Sequence, residues 1–240
     1  MKGTTALVTG GSRGIGRAVV ERLLNDGYEV LNFSRTAPKQ LLPGEIFESV
    51  DLGDAKRTRE AIGDWAAKKQ ILSLVNNAAM IHVAKIQDVT TEQIEEMVAL
   101  NMVAPLLLMQ GVLPAMRANK YGRIVNLSSR AMLGKDGRTV YGGTKAGLVG
   151  MTRTWALETA TQGITVNAIA PGPIATDLFL DSNPPDLPQT KKIMASVPVG
   201  RFGAPDEVAH AICMFLDPKA GYITGQLLYV CGGLSVGLTG

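Results

Sequence analysis

Short apolar runs alternate along this chain with longer segments in which apolar residues recur every three or four positions. A continuous apolar run is typical of a strand buried on both faces of a parallel sheet, and the longer spacing is typical of an amphipathic helix. The runs predict strands at Thr5–Thr9, Glu29–Ser34, Ile46–Val50, Leu72–Asn76, Gly122–Ser128, Thr165–Ala170 and Gln226–Val230. The spaced segments predict helices at about 14–26, 54–69, 90–119, 141–162 and 205–217.

Strands that alternate with helices build right-handed βαβ units. The pattern therefore predicts the α/β class, as a Rossmann-type doubly wound parallel sheet of about seven strands with helices on both faces. Because no Ser/Gly-rich linker or charge block divides the chain, we expect a single domain over residues 1–240.

One segment departs from this alternation. Residues 177–199 contain four prolines, which disfavour regular structure, and a short helix is predicted only at Gln189–Ala195. Long irregular segments in compact domains usually have a function. We therefore expect a substrate loop at about 173–199 that acts as a lid, with a plain surface loop as the alternative.

The first predicted strand runs into a glycine-rich turn that opens a helix. Glycines allow tight turning there and let backbone amides approach a pyrophosphate, while the helix N-terminus adds partial positive charge. A glycine-rich stretch alone is a weak signal, but the strand before it and the helix after it make it more specific. The turn predicts a dinucleotide cofactor, with contacts from Gly10, Ser12, Arg13, Gly14, Ile15 and Gly16.

The second predicted strand ends without an acidic residue. An acid at this place would bind the adenosine ribose 2′-hydroxyl of NAD(H). Here the strand ends in Ser34-Arg35, and Arg35, together with Arg13 and Ser34, can pair with a 2′-phosphate. We therefore expect NADP(H) in preference to NAD(H), with NAD(H) still usable. The alternative is that Arg35 is a solvated loop residue.

Tyr141 and Lys145 lie four residues apart at the start of a predicted helix, which places the phenol and the ammonium on one face. A tyrosine with its ordinary pKa of about 10 is a poor base at neutral pH, and a nearby cation favours the phenolate. Ser128 ends the preceding predicted strand, at the edge where open α/β sheets bind ligands, and can hold a substrate carbonyl. A Tyr-x-x-x-Lys pair alone is weak, because most such pairs are exposed helix neighbours.

Within the long predicted helix, Pro105 has no N–H, so the carbonyl of Asn101 loses its helical partner and can bind water. Near an active site such a water can relay protons. The alternative is an ordinary proline kink.

The bulk composition excludes several other classes. A net charge of +3 with 5% aromatic residues provides no basic stripe with stacking side chains, so no nucleic-acid partner is expected. The longest apolar stretch, Met102–Met109, is interrupted by proline and too short for a bilayer, and no cleavable leader begins the chain. Cys213 and Cys231 form neither a disulfide framework nor a metal set. We expect a cytoplasmic protein without membrane or metal partners.

Taken together, these residues resemble the short-chain dehydrogenase/reductase family in its compact catalytic form. The motifs are Thr9-Gly10-x-x-x-Gly14-x-Gly16, Asn76-Asn77-Ala78-Ala79, Asn101, Ser128, Tyr141-x-x-x-Lys145 and Pro171-Gly172, in order across essentially the whole chain. The phrases Gly163-Ile164-Thr165-Val166-Asn167 and Tyr222-Ile223-Thr224-Gly225 are similar to those of bacterial 3-oxoacyl-[acyl-carrier-protein] reductases and related ketoreductases.

The resemblance implies a catalytic role for four residues. Tyr141 is the acid/base, Ser128 positions the carbonyl, Lys145 lowers the tyrosine pKa and holds the nicotinamide ribose, and Asn101 supports a water relay. Hydride then passes between nicotinamide and the carbon of a ketone or secondary alcohol. The further cofactor contacts that the resemblance implies are Asp51 and Leu52 at the adenine, Asn77 and Ala78 in the groove, and Pro171, Gly172, Ile174 and Thr176 towards the carboxamide and phosphates.

The chain departs from the family pattern at two positions. Ala79 stands where glycine is usual, a small change. Carrier-protein reductases commonly have a basic residue where this chain has Gln162, although Arg123 remains in the preceding strand. We therefore expect a small, free, apolar carbonyl or alcohol substrate. The alternatives are a 3-oxoacyl-[acyl-carrier-protein] reductase of fatty-acid or polyketide type, and a non-catalytic NADP(H)-binding regulator, which would need no proton relay.

Residues after Ala79, in 129–138 and in 173–199 are expected to line an apolar pocket. Arg130 and Arg138 lie close to it in sequence, and exposed or subunit-contact arginines are favoured over binding of an anionic group. Glycines recur on one face of the following helix, which allows close packing. With the family's habit of assembly, we expect a homotetramer or at least a dimer.

Overall fold

Seven parallel strands form one sheet in the computed structural model, which describes residues 4–236. The strands are β1 (Thr5–Thr9), β2 (Glu29–Ser34), β3 (Glu45–Ser49), β4 (Ile71–Asn76), β5 (Gly122–Leu127), β6 (Ile164–Pro171) and β7 (Leu227–Val230). The α-helices are α1 (Gly14–Asn25), α2 (Ala55–Ala66), α3 (Thr91–Val98), α4 (Ala104–Ala118), α5 (Thr139–Thr159), α6 (Asp177–Ser182), α7 (Pro188–Ala195) and α8 (Pro205–Leu216).

The strand order is β3-β2-β1-β4-β5-β6-β7. The order reverses between β1 and β4, and in open α/β sheets ligands bind at the carboxyl edge beside such a reversal. Because the strands are buried by helices on both faces, they consist of near-continuous apolar runs, which is why the sequence predicts them well. The predicted α/β class with a doubly wound parallel sheet is confirmed.

Two apolar cores cover the two faces of the sheet. On one face, α1 and α8 contribute buried side chains such as Val19 and Ile212. On the other face, α2, α4 and α5 contribute Ile62, Leu108 and Trp155. The helices therefore hold the carboxyl edge of the sheet rigidly from both sides.

The predicted helix at 90–119 is observed as a continuous helical run, Thr91–Ala118. Its first turn is held by a capping box between Thr90 and Gln93, and a π-helical turn at Ala99–Val103 joins α3 to α4. The run is long and apolar enough to cross a membrane. However, many of its side chains, including Val112, lie in the core beneath the sheet, so it is a core helix.

The prediction of an irregular segment at 177–199 is wrong for its first part, where α6 forms. The Thr176 hydroxyl caps this helix by accepting from the Phe179 N–H at 3.3 Å, and the Phe179 ring packs edge-on against Phe202. Pro188 does not break structure either, since it occupies the first turn of α7, where its missing N–H has no consequence. Irregular structure remains between the two helices, around Pro184 and Pro185, and after α7, around Pro198.

Candidate active site

The carboxyl edge of the sheet gathers the predicted cofactor residues, because all seven strands run in the same direction. Gly10 follows β1, Ser34 and Arg35 lie at the end of β2, and Asp51 and Leu52 follow β3. Asn77 and Ala78 follow β4, Ser128 follows β5, and Pro171 and Gly172 lie at the end of β6. The loop after β6 also returns to the glycine turn. A Cβ placed on Gly14 would lie 3.3 Å from the Thr176 methyl carbon, so these two predicted contacts are neighbours.

The glycine turn has a backbone that other residues cannot adopt. Gly10 and Gly14 have φ values of +68° and +56°, in the left-handed region. A Cβ on Gly16 would overlap the carbonyl oxygen of Gly10. The Asn77 amide fixes the turn, since its Nδ2 donates to the carbonyls of Thr9 at 2.8 Å and Gly10 at 3.2 Å. Asn77 thus braces the turn, in addition to any contact that it makes with a cofactor.

The start of α1 fits the pyrophosphate of a dinucleotide. Arg13 occupies the N-cap without a side-chain capping bond, and the first turn of the helix contains no acidic residue. The N–H groups and the positive end of the helix dipole therefore face the glycine turn without a competing side chain. Nearby, Arg13 and Arg35 are both exposed, and β2 ends without a carboxylate. The residues present thus fit a nicotinamide dinucleotide with a 2′-phosphate.

The hydrogen bonding of Ser34 does not match the prediction that its hydroxyl donates to the 2′-phosphate. It is buried, and its hydroxyl donates inward to the Asn32 side-chain oxygen at 2.8 Å. Its hydrogen is therefore already used within the protein. Asn32, a buried amide within an apolar strand, is one functional candidate that the sequence reasoning did not identify.

Tyr141 lies in the first turn of α5, between a hydroxyl and a cation. Burial raises the pKa of Tyr141, while a hydrogen bond from Ser129 and the charge of Arg138 act in the opposite direction. Lys145 is fully buried, and its Nζ donates to the Leu127 carbonyl at 2.6 Å, 5.8 Å from the centre of the Tyr141 ring. Ser129 and Arg138 thus favour the phenolate here, and the lowering of the tyrosine pKa by Lys145 stays a prediction.

Burial also changes the ammonium of Lys145. Desolvation lowers the pKa of Lys145 to about 8, because no carboxylate of residues 4–236 lies near enough to compensate. Its one hydrogen-bond acceptor among the described residues is the carbonyl at the end of β5. The ammonium has two further N–H donors, which can hold ribose hydroxyls.

The two serines after β5 have different surroundings. The Ser128 backbone N–H continues the sheet by bonding to the Ile169 carbonyl at 2.8 Å, and its hydroxyl donates to the Lys145 carbonyl at 2.9 Å. Ser129, the next residue, is half-buried; its hydroxyl accepts from the Ala131 N–H at 3.1 Å and acts to lower the pKa of Tyr141. The side chains of successive extended residues point in opposite directions, so only one of the two can face the phenol. Ser129 is therefore the better candidate for the hydroxyl beside Tyr141, while the catalytic role of Ser128 stays a prediction.

Asn101 braces the site through its side chain. It lies in the π-helical turn, where the Ala104 N–H bonds five residues back to Ala99 because Pro105 interrupts the ordinary ladder. The Asn101 amide accepts from the Met80 N–H and donates to the Met80 carbonyl, both at 3.0 Å, and donates to the Thr144 hydroxyl at 3.1 Å. These bonds tie the turn to the loop after β4 and to the helix that carries Tyr141. The sequence reasoning identified Asn101 but not Thr144.

The chain is similar to known proteins over nearly its whole length. Residues 10–235 match the family model described as enoyl-(acyl carrier protein) reductase. A Thauera aromatica protein, the (2S)-[(R)-hydroxy(phenyl)methyl]succinyl-CoA dehydrogenase subunit BbsD, is 34% identical, with 96% of each chain covered. The 3-oxoacyl-[acyl-carrier-protein] reductase of Vibrio harveyi is 34% identical, with 98% of each covered. A Beutenbergia cavernae crystal structure with NADP bound at low occupancy, proposed to be an NAD(P)-dependent gluconate 5-dehydrogenase, is 30% identical with a TM-score of 0.91, covering 99% of this chain and 98% of that one.

Proposed function

The chain belongs to the short-chain dehydrogenase/reductase family, and on this premise we propose that it is an NADP(H)-dependent oxidoreductase that interconverts ketones and secondary alcohols. The observation that carries the proposal is the placement of Tyr141 at the start of α5, one turn before the buried Lys145, at the same sheet edge as the serines after β5 and a glycine turn fitted to a pyrophosphate. A protein that only binds the cofactor needs the glycine turn but has no need of Tyr141 and Lys145.

The cofactor supplies or accepts the hydride when bound, and the chain's own residues handle the proton. Tyr141 gives its phenolic proton to the developing alkoxide in reduction and takes the hydroxyl proton in oxidation. Ser129 holds the substrate oxygen against the phenol, in the role that the sequence reasoning gave to Ser128. Lys145 holds the nicotinamide ribose, and Asn101 fixes the helical turn whose carbonyl, freed by Pro105, binds the relay water.

The cofactor preference rests on charge at the end of β2. Arg13 and Arg35 provide two exposed guanidinium groups where NAD(H)-binding folds have a carboxylate for the ribose hydroxyl. Guanidinium groups bind phosphate well. The Beutenbergia cavernae relative binds NADP, which agrees with this charge pattern. Asp51, Leu52, Ala78, Pro171, Gly172, Ile174 and Thr176 complete the proposed cofactor contacts.

We favour a small carbonyl or alcohol substrate with an apolar body. Met132 lies 3.3 Å from the Ser128 hydroxyl, Ile174 lies in the loop after β6 and Phe179 lies in α6, which supports an apolar wall on that side. Arg138 also influences the site, since it favours the phenolate form of Tyr141.

A 3-oxoacyl-[acyl-carrier-protein] reductase is the second candidate, and one contact favours it. This chain has Gln162 where carrier-protein reductases commonly have a basic residue. The exposed Arg117 donates to the Gln162 side chain at 2.7 Å and so brings a guanidinium group to the same place. Arg123 cannot serve in this way, since it is buried and donates to the carbonyls of Gly163 and Pro218. Turnover of a 3-oxoacyl carrier thioester far above that of free ketones would decide for this candidate.

We also propose that the protein is a cytoplasmic homotetramer, or at least a dimer. Gly143 and Gly150 on α5 have open space where a Cβ would lie, and Leu157 on the same helix is largely exposed. Gly147 differs, since a Cβ there would lie 2.8 Å from the Met102 methyl group inside the same chain. Light scattering that gives a monomer would refute the assembly.

The direct test of the function is the Tyr141→Phe variant. It removes the hydroxyl and leaves the ring, so we expect NADPH binding to stay within about threefold of wild type while ketone reduction falls by about 10²–10⁴-fold. NADPH binding is measured by fluorescence titration and reduction by nicotinamide absorbance. A variant that retains wild-type turnover would refute the assignment of the phenol.

A further inference from the structure

Asn32 connects the glycine turn to a buried carboxylate on the neighbouring strand. The side chain is 0% exposed and lies in the middle of β2. Its oxygen accepts from the Gly11 N–H at 3.0 Å and from the Ser34 hydroxyl at 2.8 Å. Its nitrogen donates to Glu45 at 2.9 Å and to the Ser12 hydroxyl oxygen at 3.3 Å.

The chemistry of the partners fixes the orientation of this amide. The Gly11 N–H can only donate, so it requires the oxygen of Asn32, and the Glu45 carboxylate can only accept, so it requires the nitrogen. Glu45 has a fully buried side chain, and Arg17 Nη1 lies 2.8 Å from both of its carboxylate oxygens. Because both ends of the amide have a committed partner, a flipped amide would lose two hydrogen bonds.

The fixed amide orients two hydroxyls in opposite directions. Ser34 donates to Asn32, so its hydrogen is directed inward. Ser12 accepts from Asn32, so its own hydrogen remains free to be donated elsewhere, and it has no other side-chain hydrogen bond in the part of the chain that the structure describes. Ser12 precedes the exposed Arg13 in the glycine turn, on the side facing β2, where the proposed 2′-phosphate binds.

We propose that Asn32 is a positioning residue for cofactor selectivity, which turns the Ser12 hydroxyl towards the 2′-phosphate of NADP(H). The Arg17–Glu45 pair holds Asn32 in place and neutralises the carboxylate, which would otherwise repel the phosphate. The assignment rests on the proposed function only in that it takes NADP(H) as the ligand. It adds a selectivity residue that does not itself touch the cofactor.

A double-mutant cycle on the full-length chain tests the connection. The variants are Ser12→Ala, Asn32→Ala and the double variant, and the measurements are the dissociation constants of NADPH and NADH by fluorescence titration, together with KM and kcat for each cofactor. Thr5→Val is the matched control, since its hydroxyl bonds to Glu29 at 3.1 Å at the opposite end of the same strand pair. Ser12 is half-buried in a turn, so its variant folds even where Asn32→Ala lowers the melting temperature.

Losing a hydrogen bond to a charged phosphate is expected to weaken NADPH binding about tenfold in each single variant, with NADH binding changed less than about threefold. The double variant is expected to bind NADPH no more than about twofold worse than Ser12→Ala, because the two residues act through one hydroxyl. The control lowers stability and leaves the NADPH-to-NADH ratio unchanged.

Two results would overturn the assignment: equal losses for NADPH and NADH in Asn32→Ala, or losses that multiply in the double variant. Either would make Asn32 a purely structural residue while leaving the proposed reaction intact. A wild-type chain that binds neither cofactor would instead refute the proposed function itself, and with it the selectivity role.

Discussion

The two adjacent serines after β5 provide the sharpest prediction, because they differ in surroundings and not in chemistry. Ser129→Ala removes the hydroxyl that acts to lower the pKa of Tyr141, whereas Ser128→Ala removes a hydroxyl that donates to the Lys145 carbonyl. The perturbation is the same single oxygen in both variants, so each serves as the matched control of the other.

The expected losses of kcat in the two variants differ by at least tenfold. Loss of a donor that stabilises a developing oxyanion lowers kcat by about 10²–10³-fold, or about 3–4 kcal/mol in the barrier, which is the expectation for Ser129→Ala. Ser128→Ala loses one buried hydrogen bond, so its free energy of unfolding falls by about 1 kcal/mol while kcat stays within a few-fold of wild type.

The pH profile separates the two variants further. Ser129 opposes the burial that raises the pKa of Tyr141, so the pKa rises further when this hydroxyl is removed. Alcohol oxidation requires the phenolate, and its rate increases as pH rises towards the tyrosine pKa. The ascending limb of the oxidation profile is therefore expected to move to higher pH in Ser129→Ala and to stay in place in Ser128→Ala.

The assay is steady-state oxidation and reduction from pH 6 to 10, with melting temperatures measured alongside. A folded Ser128→Ala variant that loses turnover as severely as expected for Ser129→Ala would contradict the assignment of Ser129. A Ser129→Ala variant with wild-type kcat and an unshifted profile would contradict it equally.

Three further predictions follow from the same geometry. Gly16→Ala places a Cβ on the Gly10 carbonyl and should weaken NADPH binding by at least tenfold in fluorescence titration. Gly63→Ala is the matched control, because it has open space on an exposed helix face. This variant should bind NADPH normally and gain up to about 1 kcal/mol of stability. Asn101→Ala removes three side-chain hydrogen bonds and should lower the free energy of unfolding by about 2 kcal/mol. Calorimetry should therefore show a melting temperature lower by roughly 4–8 °C, and an unchanged melting temperature would contradict the bracing role. The pKa of Lys145 is lowered from 10.5 to about 8, so between these pH values the unfolded chain binds more protons than the folded chain, and the stability contribution of this residue rises with pH. The urea midpoint of wild type relative to that of Lys145→Met should therefore increase from pH 8 to 10. Midpoints that run in parallel over this range would show that burial does not lower the pKa of Lys145.

The sequence predicts the sheet well and the hydroxyl geometry poorly, for a physical reason. Strands buried on both faces must be apolar throughout, so runs such as Leu72–Asn76 stand out regardless of their neighbours. The choice between Ser128 and Ser129 depends instead on which way the chain points as it leaves the sheet. That direction is set by the bond from Ser128 to β6, a contact between residues far apart in sequence.

Two other features also depend on distant contacts. Asn32 is visible in the sequence as one amide within an apolar run, but its partner Glu45 lies on the next strand, and only the register of the sheet brings them together. Helix α6 is short, and its signal, a threonine cap before Phe179, is weaker than the nearby prolines until Phe202 provides a packing partner. The cofactor turn, in contrast, is local, so its residues were predictable from the chain alone.

The most direct test of the account is the initial rate of nicotinamide oxidation by the wild-type protein, with NADPH and NADH in parallel, against ketones, quinones and 3-oxoacyl thioesters. Turnover of a free ketone is expected, with a higher kcat/KM for NADPH than for NADH. Tight NADPH binding without turnover of any carbonyl would contradict the catalytic role of the Ser129–Tyr141 pair. A higher kcat/KM for NADH would contradict the assignment of Arg13 and Arg35 to the 2′-phosphate.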